Sequence, residues 1–234
     1  LLEEDITYLN HGSFGACPKV IFEDYQNWQA RLEKQPVQFF TEELYYALKK
    51  SRESLSKFLG CGQDELLFFQ NPTTAVSNIV YNLDLKPGDE VLMTDHEYGA
   101  LVRAWNAWGK KAKIHIKYAN VTLPLESKEK FFQDISNKIS SKTKVLFLSH
   151  ITSPTGLVFP IKDIIDFAKK RKIMTIVDGA HVPGHIDLNI QSLGCDFYTG
   201  ALHKWMCAPK GTSFLFVKKE HQKWIKPVIY SWGK

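Results

Sequence analysis

The sequence of 234 residues predicts an α/β protein, a three-layer αβα sandwich built on a mostly parallel seven-stranded sheet. Two observations carry that expectation. Short apolar runs alternate with segments of helical spacing through most of the chain, the pattern of successive βα units. One run, Ile173-Met174-Thr175-Ile176-Val177, ends in Asp178 and passes at once to Gly179-Ala180-His181. This is how a buried strand delivers a polar side chain to the ligand-binding edge of an open sheet.

The opening has a different character. Asn10-His11-Gly12-Ser13-Phe14-Gly15 is a turn-rich loop, followed by long helical stretches over Pro18–Lys34 and Thr41–Leu59. This prelude, residues 1–60, can cross a neighbouring subunit or close over a site, and His11 is its candidate substrate contact. The sheet region follows over residues 61–234. Strands are expected at Glu65–Phe69, Glu90–Met93, Lys113–Tyr118, Lys144–Ser149, Ile173–Asp178, Cys195–Thr199 and Ser213–Val217. Between them, Thr73–Leu83, Ala100–Lys110, Lys128–Ser140 and Ile161–Arg171 carry helical spacing and serve as crossovers. The tail from Trp224 to Lys234 leaves the last strand without a second sheet or a helical cap. No internal repeat, low-complexity tract or flexible linker is present.

A hydrophobic content of 44% with 24% charged residues suits one large globular core. The net charge of +5 is spread along the chain, with Lys169-Lys170-Arg171-Lys172 and Lys218-Lys219 at expected helix and strand ends. No basic stripe is interleaved with aromatics, so nucleic acid is not an expected partner. Cys17, Cys61, Cys195 and Cys207 form no CxxC pair and have no metal spacing. A reducing, cytoplasmic compartment and no metal centre follow as expectations. No apolar run approaches the roughly 18 residues that span a bilayer, so no membrane partner is expected.

Lys204 lies 26 residues after Asp178 and follows the short strand that contains Asp196-Phe197-Tyr198-Thr199. Taken alone, Asp178 fits a helix cap or an ion-pair partner, and Lys204 one of many solvated lysines. Together at neighbouring strand ends they suit pyridoxal 5'-phosphate. A lysine amine forms a Schiff base with the aldehyde, and a carboxylate against the pyridine nitrogen keeps the ring protonated. A desolvated lysine also has its pKa lowered toward neutrality, which suits it to shuttle a proton at a substrate alpha carbon.

Gln70-Asn71-Pro72-Thr73-Thr74-Ala75 supplies a possible phosphate cup directly after the first strand. Pro72 suits a first helical turn, and the amides and hydroxyls of Thr73 and Thr74 would face an anion. A plain N-cap explains the same residues. After the second strand, Asp95-His96-Glu97-Tyr98-Gly99-Ala100 offers a flat ring to stack on a pyridine face, with Tyr98 preferred to His96. Ser149-His150-Ile151-Thr152-Ser153-Pro154-Thr155-Gly156 offers hydroxyls, although turn formation accounts for it too. His181 suits the phenolic oxygen of the cofactor or a brace for Asp178, and His203 suits its phosphate. Either histidine is also an ordinary structural residue when considered alone.

Val177-Asp178-Gly179-Ala180-His181, Asp196-Phe197-Tyr198 with His203-Lys204-Trp205, and Cys207-Ala208-Pro209-Lys210-Gly211 resemble the cofactor core of class V aminotransferase-fold enzymes. The loop at Asn10–Gly15, Asn71-Pro72-Thr73-Thr74-Ala75 and His96-Glu97-Tyr98-Gly99-Ala100 are similar to the isopenicillin N epimerase-like branch, which includes cysteine desulfhydrase-like proteins. The resemblance runs from near residue 7 to the end of the sequence. It implies the large domain of a fold type I pyridoxal phosphate enzyme. Lys204 would form the Schiff base, Asp178 would pair with the ring nitrogen and Tyr98 would take the place of the stacking aromatic. Thr73, Thr74 and His203 would hold phosphate, and His181 and Ser153 would face the phenolic oxygen.

Two residues depart from the desulfurases of the wider family. Ala201 stands three residues before the lysine where they often carry Ser, and Ser153 matches their Asn. Family members also continue for well over a hundred residues into a small domain carrying the arginine for the substrate carboxylate and, in desulfurases, a persulfide cysteine. That small domain is expected to be absent from this chain, which ends at Lys234. The resemblance further implies a homodimer in which the Ser231-Trp232-Gly233 region approaches the partner's cofactor. An amino acid substrate is implied, and the reaction stays open among epimerisation, transamination and loss of a sulfur group. A non-catalytic remnant is the remaining alternative, opposed by the intact Asp178, His203 and Lys204.

Overall fold

A computed structural model of the chain describes residues 1–230; the Ser231-Trp232-Gly233 region lies outside the described residues. Helix α1 (Lys19–Lys34) leads through a short turn, α2 (Pro36–Gln38), and a π-helical turn at Phe39–Glu43 into α3 (Leu44–Leu59). The rest alternates β1 (Leu66–Phe69), α4 (Pro72–Asn82), β2 (Glu90–Thr94), α5 (Gly99–Ala112), β3 (His115–Ala119), α6 (Lys128–Ser136), β4 (Thr143–Ser149), α7 (Ile161–Lys170) and β5 (Met174–Asp178). A short α8 (Ile190–Leu193), β6 (Phe197–Ala201) and β7 (Ser213–Val217) complete it.

All seven expected strands form one sheet in the order β1-β7-β6-β5-β4-β2-β3. β2, β3, β4, β5 and β6 pair in parallel, while β7 runs antiparallel to both β6 and β1. Two antiparallel steps restore the direction, so β1 ends at the same edge as the parallel strands. Alternation along the strands separates two cores. Leu146, Leu148, Val177, Tyr198 and Phe214 pack on one face with residues of α3, α6, α7 and α8. Val145, Phe147, Ile176, Phe197 and Leu215 pack on the other with α4 and α5. This is the expected αβα sandwich, with each fully buried large side chain contributing about 1.5–3 kcal/mol.

Several boundaries differ from those the sequence predicts. β6 begins at Phe197 rather than Cys195, because the Asp196 carboxylate turns back to the amide and hydroxyl of Thr175 at 2.8 and 2.9 Å. α5 continues to Ala112 and stops at Lys113, which takes the left-handed conformation with φ 58°, so β3 starts later. α6 ends at Ser136 rather than Ser140, and Ser140 instead donates its amide to Thr143 Oγ1 at 2.9 Å. α1 buries none of its residues.

Candidate active site

The loops after β1, β2, β4, β5 and β6 converge on one edge of the sheet, where a cleft of about 510 Å³ opens. That lies within the roughly 300–1,000 Å³ of small-ligand sites. Thr73, Thr74, Tyr98, Ser153, Asp178, His203 and Lys204 all line it, although they come from five separate stretches of sequence. Gly12, Ser13 and Phe14 of the opening loop close its side. Gly15 anchors that loop: its amide donates to the His203 carbonyl at 2.7 Å, and a Cβ there would stand 1.9 Å from the Lys204 carbonyl oxygen.

Asp178 is the last residue of β5 and is 3% exposed. Its Oδ1 accepts the Ala180 amide at 2.9 Å, and among the described residues nothing donates to Oδ2. Burial pushes this carboxyl above its ordinary value, against the opposing pull of the Ala180 amide and the Lys204 charge. Lys204 follows β6, and burial lowers its amine while Asp178 pulls the other way. The Nζ stands 5.9 Å from the centroid of the Tyr98 ring. His96 faces away from the cleft, with Nε2 bonded to the Val121 carbonyl at 2.9 Å and its ring edge-on to Phe159. Tyr98 is therefore the aromatic of this loop that meets the cleft.

The phosphate cup is narrower than the sequence suggests. Asn71 is the N-cap of α4, and its Oδ1 accepts the Thr74 amide at 2.8 Å and the Thr74 hydroxyl at 3.0 Å. The Thr74 amide is thus capped rather than free, and the Thr73 amide and hydroxyl remain for an anion. His203 donates Nδ1–H to the Thr212 carbonyl at 2.8 Å. Its neutral ring then offers Nε2 as an acceptor, so a phosphate contact requires the imidazolium form. Burial lowers the affinity of His203 for that proton.

His181 reaches the cleft through the lysine, with Nε2 3.2 Å from Lys204 Nζ. Ser153 lines the cleft as an exposed turn residue. His11 does not line it: Nδ1 accepts the Ala16 amide at 3.2 Å and lies 3.8 Å from Cys207 Sγ. Glu97, to which its loop motif assigns no role, lies buried beneath the cleft edge. Its carboxyl accepts from the hydroxyls of Thr94 at 2.5 Å and Ser149 at 2.6 Å. Burial raises it to about 7, with the Asp178 charge adding to the rise against those two bonds. Trp205, named in the sequence only as part of the His203-Lys204-Trp205 motif, donates its indole N–H to His181 Nδ1 at 3.2 Å.

A family model for aminotransferase class V matches residues 16–233. The isopenicillin N epimerase of Amycolatopsis lactamdurans is 33% identical over 99% of this chain and 59% of its own length. A probable chloroplastic L-cysteine desulfhydrase of Arabidopsis thaliana is 27% identical over 93% of this chain and 49% of its own length. Among solved structures, the cystine C–S lyase C-DES in complex with its product cysteine persulfide superposes with a TM-score of 0.90 at 25% identity. The superposition covers 98% of this chain and 61% of that one. The chain spans about 60% of the length of the epimerases it matches. It belongs to the aminotransferase class V family.

Proposed function

We propose that this chain is the cofactor-binding part of a pyridoxal 5'-phosphate enzyme that acts at the alpha carbon of an amino acid, in the manner of an isopenicillin N epimerase. The observation that carries the reading is the meeting in one cleft of Asp178, with one carboxylate oxygen unpartnered among the described residues, and the desolvated Lys204 amine. A buried acid with an open oxygen fits a protonated ring nitrogen, and the Thr73 amide at a helix N-terminus fits a phosphate. When bound, the cofactor supplies an electron sink for charge developing at the substrate alpha carbon.

The residues of the chain supply the rest. The Asp178 carboxylate would hold a proton on the ring nitrogen, a contact that the low-dielectric site would strengthen. Lys204 Nζ would hold the cofactor and, as a free amine, would accept or return a proton at the alpha carbon. Tyr98 would cover a ring face and the Thr73 amide and hydroxyl would hold the phosphate, joined by Thr74 once its hydroxyl turns from Asn71 and by His203 as the imidazolium, while His181 and Ser153 would face the phenolic oxygen. His11 approaches substrate only if its loop re-forms around the ligand. Residues 1–60 act as a lid and contact segment and 61–234 as the cofactor domain. A homodimer belongs to the same reading, supported by Ile21, Tyr25 and Trp28 exposed on α1; a cytoplasmic location belongs to it too. Among the described residues no helix is long and apolar enough to cross a membrane.

A C–S lyase or cysteine desulfhydrase is the second reading, favoured by the likeness to the desulfhydrase and to C-DES. Two assays on the full-length protein separate the readings. Added cofactor should give an absorbance band at the visible edge that Lys204→Ala loses; no band in the wild type would end both readings. Sulfide and pyruvate released from cysteine favour the lyase, while alpha-deuterium exchange without sulfide favours the epimerase.

A further inference from the structure

His181 stands between two nitrogen partners. Trp205 Nε1 is 3.2 Å from Nδ1, and Lys204 Nζ is 3.2 Å from Nε2. An indole nitrogen is a donor only, so His181 Nδ1 must present its lone pair. With Nδ1 unprotonated the imidazole is neutral, and burial, the largest cause, lowers its pKa in the same direction. Its single proton must then sit on Nε2, pointing at the lysine. A protonated lysine has three donors and no acceptor, so it would meet that N–H head-on. Both contacts coexist only when the amine offers its lone pair.

We propose that Trp205 is a positioning residue that locks His181 in the Nε2–H tautomer, so that the imidazole donates to Lys204 and holds its amine as the neutral nucleophile. The inference rests on Lys204 being the cofactor lysine. Trp205 is itself held: the His185 ring stacks on it at 4.2 Å and 23°, and His185 Nδ1 donates to the His181 carbonyl at 3.2 Å. The other groups around the amine are Asp178, which favours its proton, the ring of Tyr98, and His203, whose own proton affinity the Lys204 charge lowers. Without the indole donor, His181 can move its proton to Nδ1 and accept from a lysine ammonium, and the amine becomes more basic.

The test uses the full-length, cofactor-free protein and needs no turnover. Acetic anhydride labelling of Lys204, read by peptide mass spectrometry across pH, gives the fraction of free amine. Trp205→Phe keeps a stacking ring without the donor, and it should label Lys204 roughly tenfold more slowly at neutral pH, about one pKa unit. A profile identical to wild type would overturn the proposal. Should Trp205→Phe fail to fold, the wild type decides alone through its 15N histidine spectrum, with the His181 signals assigned by their loss in His181→Gln. A proton on Nε2 sustains the proposal and a proton on Nδ1 overturns it. Failure of the cofactor reading is separate, because it appears as a missing absorbance band whatever the tautomer.

Discussion

Asp178 and Asp196 are carboxylates from neighbouring strand segments at opposite ends of β5 and β6, both withdrawn from bulk water, and they are held in opposite ways. Asp196 accepts the amide and hydroxyl of Thr175 and the Nε2–H of His221 at 2.8 Å, with Lys218 Nζ at 3.9 Å. Burial would raise it, but these bonds outweigh burial and leave it below the ordinary carboxylate value. Asp178 has one backbone donor and stays above that value. A fully partnered carboxylate ties a sheet together; a half-partnered one at the mouth of a cleft fits the ligand that the proposed function assigns to it. Asp196, Glu220 and His221 do bring ligand atoms within 4.8 Å of one another, as a cation site would. There Lys218 Nζ, 2.9 Å from Glu220, already supplies the positive charge.

The contrast can be broken most decisively at the chemistry. Asp178→Asn keeps the bond to Ala180 but not the charge, and on the proposed function steady-state turnover of the full-length protein should fall on the order of 10³-fold. A fall of less than tenfold would remove Asp178 from the mechanism. Asp196→Ala should do the reverse. It orphans three donors and should cost about 3 kcal/mol in denaturant unfolding, with cofactor affinity kept within a few-fold. Equal loss of cofactor binding would show that the two carboxylates are not separable.

Gly179 sharpens the same comparison, because it joins Asp178 to the Tyr198 ring. A Cβ at Gly179 would lie 2.2 Å from that ring, whose hydroxyl bonds His150 Nδ1 at 3.0 Å. Gly179→Ala should cost about 2 kcal/mol by overpacking and weaken cofactor binding as Asp178 is displaced. An unchanged melting temperature would contradict the packing. At the small end, Asn71→Ala removes the cap of α4 and should cost about 1 kcal/mol, read by unfolding.

The two carboxylates also predict opposite pH slopes. Asp196 is lowered on folding, so its contribution is full above the ordinary value near ~3.9 and is lost as pH falls through its folded value. The deficit of Asp196→Asn should therefore shrink on acidification. Asp178 is raised, so its cost is absent at low pH and builds as pH climbs from ~3.9 past its folded value. The stability advantage of cofactor-free Asp178→Asn should grow with rising pH. Parallel slopes for the two variants would refute the distinction.

Much of the site was legible because it sits where apolar runs stop. Asp178 closes one run and Lys204 follows another, and parallel topology alone brings such ends to one edge. Ser213–Val217 is readable as a strand from its own apolar run, although it pairs antiparallel with both neighbours. What escaped depends on contacts across sequence. The Asn71 oxygen takes the Thr74 amide that spacing had left for an anion. The Trp205–His181 bond joins residues 24 apart, and no local pattern announces it. Glu97 looked like one more charge in a polar loop until Thr94 and Ser149 closed around it. β6 slipped by two residues because Asp196, polar and partnered by β5, ends the preceding turn instead of starting the strand.

The most direct test is the free energy of unfolding of Asp178→Asn against wild type at pH 7, each with and without saturating pyridoxal phosphate. Cofactor-free Asp178→Asn should equal or exceed wild type, since a costly buried charge is gone. It should gain less from the cofactor, whose stabilisation grows with its affinity for the folded state. A cofactor-free variant as unstable as Asp196→Ala, or one with undiminished gain from the cofactor, would contradict a carboxylate held for a ligand.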